Sequence, residues 1–167
     1  FSEIVPDPAS LARATKTATG VDQLDISAPN SKGMSYNSLL ELQVSEQGLI
    51  LNNSNQVVVD TQIAGLVARN RNLDNSGTAN LIITEIVGKN KTGINGYVEV
   101  AGDKADIVIA NRNGININGF KIIGVPKING SLIPNKLGIM DTLPTELNDF
   151  AFDLNEFFSV RSEEHTS

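Results

Sequence analysis

The sequence predicts an all-β protein of short stacked strands. From Leu40 to Ile117, runs rich in Val, Ile and Leu are broken repeatedly by Gly and Asn, and no apolar stripe of helical period is long enough to form a helix. Between the runs lie Asn52-Asn53-Ser54-Asn55, Asp74-Asn75-Ser76-Gly77, Asn95-Gly96 and Asn113-Gly114, clusters that favour tight turns. Composition then separates two architectures. Aromatic residues make up 5% of the chain and Trp is absent, whereas sandwich cores lean on aromatic anchors. Small Val, Ile, Leu, Ala and Asn suit a solenoid of stacked coils better. Asn-Gly pairs also close antiparallel hairpins, so a β-sandwich or meander stays open on local pattern.

Taken in order, residues 1–29 hold three of the six prolines, Pro6, Pro8 and Pro29, with many Ser, Thr and Ala. This segment is expected to be extended rather than regularly paired, and suited to covering an exposed end of the stack. Leu40, Leu42 and Val44 alternate with Glu41, Gln43 and Ser45, which places the three apolar residues on one face of a half-buried strand. Further strands are expected at Gly48–Leu51, Gln56–Val59, Asn80–Val87, Tyr97–Ala101, Asp106–Ala110 and Ile115–Asn118. Beyond Phe120 the pattern loosens. Leu147, Phe150, Leu154, Phe157 and Phe158 fall near helical spacing among acids, which fits a short amphipathic helix or an acidic tail. Arg161–Ser167 resembles the translation of a common sequencing adapter and is expected to be no part of the fold.

Charge and composition exclude several functions. The chain carries 13 Lys and Arg against 19 Asp and Glu, a net charge of −6, with the basic residues scattered. Nucleic acid is therefore not an expected partner. With no Cys, a disulfide framework, a thiolate metal site and a Cys nucleophile are excluded together. That absence suits a chain exported unfolded, because a disulfide formed in an oxidising periplasm closes a loop that a narrow pore cannot pass. No apolar run reaches the roughly 18–20 residues that span a bilayer. The chain opens on Phe1 rather than Met, so a signal peptide is expected to have been removed or to lie outside this sequence.

Catalytic chemistry has few candidates. The one histidine, His165, falls in the adapter-like tail. Glu99, Asp103 and Asp106 cluster in sequence around Gly102, and a polysaccharide-degrading β-helix could use such carboxylates as a pair, but solvated acids at a turn explain them equally. Asp74-Asn75-Ser76-Gly77 lacks the alternating oxygen ligands and distal Glu of a calcium loop. No catalytic residue, cofactor or metal site is assigned, and the chain is not expected to be an enzyme.

Two other segments carry more information: Asn70-Arg71-Asn72-Leu73 and Asn111-Arg112-Asn113-Gly114-Ile115. Each follows a strand-like run and closes on an aliphatic residue. Asn bonds its neighbouring backbone and tolerates the left-handed region, and the closing Leu or Ile returns the chain to the core. Each therefore reads as a self-stabilised turn. Either one alone is equally an ordinary loop.

Together, they resemble the Asn-Pro-Asn-Leu and Asn-Pro-Asn-Gly-Ile signatures of two-partner secretion domains of the filamentous haemagglutinin and contact-dependent growth inhibition type. Ala28-Pro29-Asn30, Gly33, Ser35 and Asn37 resemble that family's opening segment, and Gly48–Asn53 its next element. Asn95–Gly102 and Ala105–Asn111 resemble the stretch leading to the second signature, so the resemblance covers about Ile4 to Phe120. It departs at Arg71 and Arg112, which stand where the family usually has Pro.

The resemblance implies a right-handed parallel β-helix over residues 1–120, with residues 1–30 as an amino-terminal cap. Residues 121–160 are then a poorly matched continuation or acidic tail, and 161–167 an artefact. It implies a secretion-signal domain of a large exoprotein, recognised by an outer-membrane transporter of the two-partner pore (Omp85) type. Export would run through the periplasm and outer membrane to the bacterial surface, and any host-cell or bacterial-surface receptor would belong to downstream regions. Residues 70–73 and 111–115 are the expected motif residues. Two alternatives are an adhesin surface, which would bind cells or glycans as an isolated domain, and a polysaccharide-degrading enzyme, which would need acids and a Lys or Arg along one groove.

Overall fold

The computed structural model describes residues 3–118, 122–123 and 137–143. Its first strands are Glu3–Pro6 (β1), Arg13–Lys16 (β2), Asp22–Asp25 (β3), Met34–Val44 (β4), Leu49–Asn53 (β5), Val58–Thr61 (β6) and Gly65–Ala68 (β7). A 3-10 turn at Arg71–Leu73 precedes Leu81–Ile86 (β8), Thr92–Ile94 (β9), Val98–Gly102 (β10), Asp106–Asn111 (β11), Ile115–Ile117 (β12), Ile122–Ile123 (β13) and Leu137–Met140 (β14).

The strands stack as the coils of a parallel β-helix. Along one face β3, β5, β10 and β13 pair in parallel, and along the next β4, β8, β11 and β14 do the same. A short third face joins the end of β4 to β9 and β12. Val98 of the third coil lies between Leu49 of the second and Ile122 of the fourth. The second coil makes a long excursion, residues 54–79, that carries the antiparallel hairpin β6–β7.

Parallel strands covered on both sides need nearly continuous apolar sequence, and β8 (Leu-Ile-Ile-Thr-Glu-Ile) and β11 (Asp-Ile-Val-Ile-Ala-Asn) have it. Ile82, Ile86, Ile107 and Ile109 face the interior with Leu24, Leu39, Leu51, Val98 and Val100. Leu81, Ile83, Val108 and Ala110 form a second buried cluster on the outer side with Met34 and Met140. Each fully buried aliphatic contributes about 1.5–3 kcal/mol against exposure. Repetition of the same small side chains from coil to coil builds the core.

The structure corrects the sequence reading in three places. Residues 3–25 carry three regularly paired strands: β1 lies antiparallel on β4 and β2 antiparallel on β3, so both close the free side of the first coil, while β3 is already part of the parallel stack. Leu40 does not share a face with Leu42 and Val44. It is 39% exposed, whereas Leu39 and Leu42 are buried. The reason is a bulge: Val5 pairs with Glu41 and Pro6 with Leu39, so Leu40 is skipped where the strand turns from one face of the helix to the next. Finally, β13 and β14 continue the parallel faces beyond Phe120, where the sequence offered no recognisable counterpart. The helix-spaced segment around Leu147–Phe158 and the tail 161–167 lie outside the described residues.

Candidate functional site

The two asparagine motifs lie at different corners of successive coils, Asn70–Leu73 in the excursion that leads into β8 and Asn111–Ile115 between β11 and β12. Asn70 precedes the 3-10 turn in an extended conformation, φ −84° and ψ 110°, and its Oδ1 accepts from Asn72 N at 2.9 Å. Its Nδ2 donates to Ile26 O at 2.8 Å and to Asn52 O at 2.9 Å, which ties the motif to the first coil and to the end of β5. Asn72 Nδ2 reaches Leu11 O and Ile26 O, so the motif also holds the amino-terminal segment. Leu73 enters the main core. Arg71 points to solvent. Arg69 Nε and Asp74 Oδ1, 3.6 Å apart, flank the turn.

The second motif repeats the device. Asn111 Oδ1 accepts from Asn113 N at 2.8 Å, and its Nδ2 donates to Asn90 O and Thr92 Oγ1, both at 2.9 Å. Asn113 Nδ2 donates to Gly88 O at 2.9 Å. Gly114, at φ +109°, turns the chain so that its carbonyl accepts from Thr92 N, a conformation that side-chain-bearing residues seldom adopt. Ile115 packs against the main core, and Arg112 is exposed. Arg112 also lines a cleft of about 230 Å³ with Glu85, Ile86, Val87, Asp141 and Thr142.

The geometry changes the physical account of these motifs. No residue other than Gly has positive φ among the described residues, so the asparagines are not used for left-handed backbone. They are used because one fully buried carboxamide accepts within its own turn and donates across to the neighbouring coil. Both Asn70 and Asn111 are 0% exposed. A buried amide is tolerated only when its hydrogen-bonding groups are satisfied.

Three further asparagines work the same way and were not assigned a role from sequence. Asn37 accepts from Ser27 N and donates to Ser35 O and Ile83 O. Asn52 donates to Asp25 Oδ1 and Ala68 O. Asn53 accepts from Ala79 N and donates to Ala79 O and Asp103 O. Asn52 and Asn53, expected within a tight-turn cluster, instead close β5 and are fully buried. The available signal was position: an Asn that ends an apolar run faces the same interior as the run.

The acidic candidates do not meet in an open groove. Glu99 is buried beneath the hairpin, where its carboxylate accepts from Gln62 N and Ile63 N at 2.9–3.0 Å. Burial pushes its carboxyl above the ordinary range, and those two backbone donors oppose the shift. Asp103 accepts from Thr78 Oγ1 at 2.7 Å, and Asp106 opens β11. Tyr36 donates its hydroxyl to Glu85, and burial together with that carboxylate raises the phenol above its usual range. Asp74–Gly77 is a turn in which Ser76 N and Gly77 N donate to Leu73 O.

Comparison with known proteins gives a consistent match. A family model described as "TPS secretion domain" matches residues 2–128. The chain is 38% identical over 121 residues to "16S rRNA endonuclease CdiA" of Enterobacter cloacae, covering 72% of this chain and 4% of that protein. It is 40% identical over 119 residues to a "tRNA nuclease CdiA" of Escherichia coli, covering 71% of this chain and 4% of the relative. The chain thus spans only a small part of the length of these curated relatives. Among solved structures, a filamentous hemagglutinin secretion domain superposes with a TM-score of 0.65 at 28% identity, covering 81% of this chain and 49% of that one.

Proposed function

The chain belongs to the TPS secretion domain family, and from that membership we propose that an outer-membrane transporter of the two-partner pore type recognises it in the periplasm and exports the exoprotein it heads. Exoproteins of this family are secreted or surface-exposed. The observation that carries the mechanism is the repeated closure of a coil by a buried motif asparagine. Asn70 fastens the second coil to the first, and Asn111 fastens the third to the second.

A chain leaving the pore unfolded folds one coil at a time, because each coil needs only its predecessor as a template. The third coil brings Val98, Val100, Ile107 and Ile109 against the core. Burial worth about 25 cal/mol per Å² of apolar surface, less the entropy of ordering the chain, biases movement outward without a nucleotide. In this reading the motif asparagines act through folding, and Arg71 and Arg112 are the motif side chains left facing solvent.

The test fuses the chain, behind a periplasmic signal peptide, to a reporter without cysteines and measures reporter in the medium with and without a matched pore partner. Reporter released only when the partner is present is the expected result. Equal release in both strains, or none in either, overturns the proposal.

A further inference from the structure

The second and third coils differ at one connection. In the third coil Asp103–Ala105 suffices to join β10 to β11, whereas the second coil leaves β5 at Asn53 and returns to β8 at Leu81 only after the excursion 54–79. The registers align the two: Asn53 lies beside Gly102 and Leu81 beside Asp106. Something must hold the neck of the excursion where the third coil has only a short covalent turn.

Asn53 sits at that neck. Its carboxamide makes a two-way bridge to one residue on the far side, accepting from Ala79 N at 2.8 Å and donating to Ala79 O at 3.0 Å. It also donates to Asp103 O at 2.9 Å, while Asp103 N returns a bond to Asn53 O at 3.2 Å. The side chain therefore imitates a strand neighbour for Ala79 and fastens the next coil. It is fully buried. The adjoining backbone is built for this approach: a Cβ at Gly102 would lie 2.4 Å from Asn53 O, and Gly102 has φ +85°. Outside the neck, the excursion has its own attachments: Asn70 N donates to Ser54 O, Asn52 Nδ2 donates to Ala68 O, and Leu73 enters the main core. Val59, Ile63, Ala64 and Val67 pack on Val21, Ile50 and Ala101 of the outer surface, and Glu99 holds Gln62 and Ile63.

We infer that Asn53 is a positioning residue for secretion-competent folding, equal in rank to the two motif asparagines, which acts by closing the neck of residues 54–79 and so holding the β6–β7 hairpin on the β-helix. Its bearing on secretion rests on the function proposed above; its bearing on the excursion does not. A bridge of this kind makes the hairpin end of the excursion a unit that opens locally, while Asn70 and Leu73 stay with the coils.

Native-state hydrogen exchange on the full chain reads this directly. In Asn53→Ala, exchange at Ala79 and across β6 and β7 should speed up roughly ten- to a hundredfold, with β8 and β11 close to wild type. Asn53→Asp, which keeps the acceptor for Ala79 N and loses both donors, should fall between the two. A measurement that needs no variant supports the same conclusion: in the wild type, the carboxamide protons of Asn53 should exchange at the opening rate of the β6 and β7 amides. Uniform acceleration over all strands in the variants, or Asn53 carboxamide protons that exchange only with β8 and β11, overturns the inference. In the reporter assay, Asn53→Ala should lower partner-dependent release as far as Asn70→Ala does, and wild-type release by the Asn53 variant contradicts its role in secretion. Partner-independent release by the wild type would remove the secretion reading alone and leave the exchange result standing.

Discussion

Asn70 and Asn111 each supply a buried carboxamide donor to backbone carbonyls, Asn52 O and Asn90 O among them, that a smaller side chain no longer serves. Orphaning a buried polar group costs about 1–3 kcal/mol. Asn111→Ala should therefore lower the thermal midpoint measurably, whereas Lys89→Ala, at an exposed position, should leave it within error; calorimetry on the two variants decides. The arginines inside the motifs permit a stabilising change. Asn70 is extended in the way a residue before Pro must be, and Arg71 opens the 3-10 turn, where Pro fits. Arg71→Pro should add about 0.4–1 kcal/mol by restricting the unfolded chain, and a lower midpoint would show that Arg71 makes a contact worth more than that. From sequence these motifs could be read as turns. What could not be read was the donor half of each carboxamide, because Ile26, Asn52, Asn90 and Thr92 become neighbours only when coils stack.

Among the elements, the hairpin is the one the sequence half showed. β6 was expected at Gln56–Val59 and lies at Val58–Thr61, while β7, Gly-Leu-Val-Ala, carried too little pattern to be distinguished from a loop. The outward residues Val58 and Leu66 are 48% and 64% exposed while Val67 is buried, so the alternation is real but its apolar content runs through both faces. Short β9, with Gly93 at its centre, was missed for the same lack of signal. Glu99 gives the hairpin a pH dependence. Its carboxyl is raised in the folded state by burial, so its contribution to stability is fully present below the unfolded pKa and is lost as pH rises through the folded one. Hairpin docking should weaken from mild acid toward neutrality. Glu99→Gln keeps an oxygen for Gln62 N and Ile63 N and removes the titration, so proteolysis of residues 54–79 should lose this part of its pH dependence. Identical pH profiles for the two proteins would assign the dependence elsewhere.

The molecule as a whole is a stack with a finished beginning: β1 and β2 lie antiparallel on the first coil, and parallel pairing runs from there onward. Stacking was legible because short aliphatic runs are broken often by Gly and Asn and because aromatics are few, and the family resemblance added the parallel β-helix. The corner at Leu40 and the paired amino terminus were not, since a bulge and an antiparallel end strand depend on the coil they meet. The account holds that the motifs serve export by closing coils from within, through buried asparagines, and not by presenting their exposed arginines. Partner-dependent reporter release, measured side by side for Asn111→Ala and Arg112→Ala with the thermal midpoint of each, tests that most directly. The account predicts that Asn111→Ala loses both release and midpoint while Arg112→Ala keeps both; loss of release in Arg112→Ala at an unchanged midpoint would contradict it.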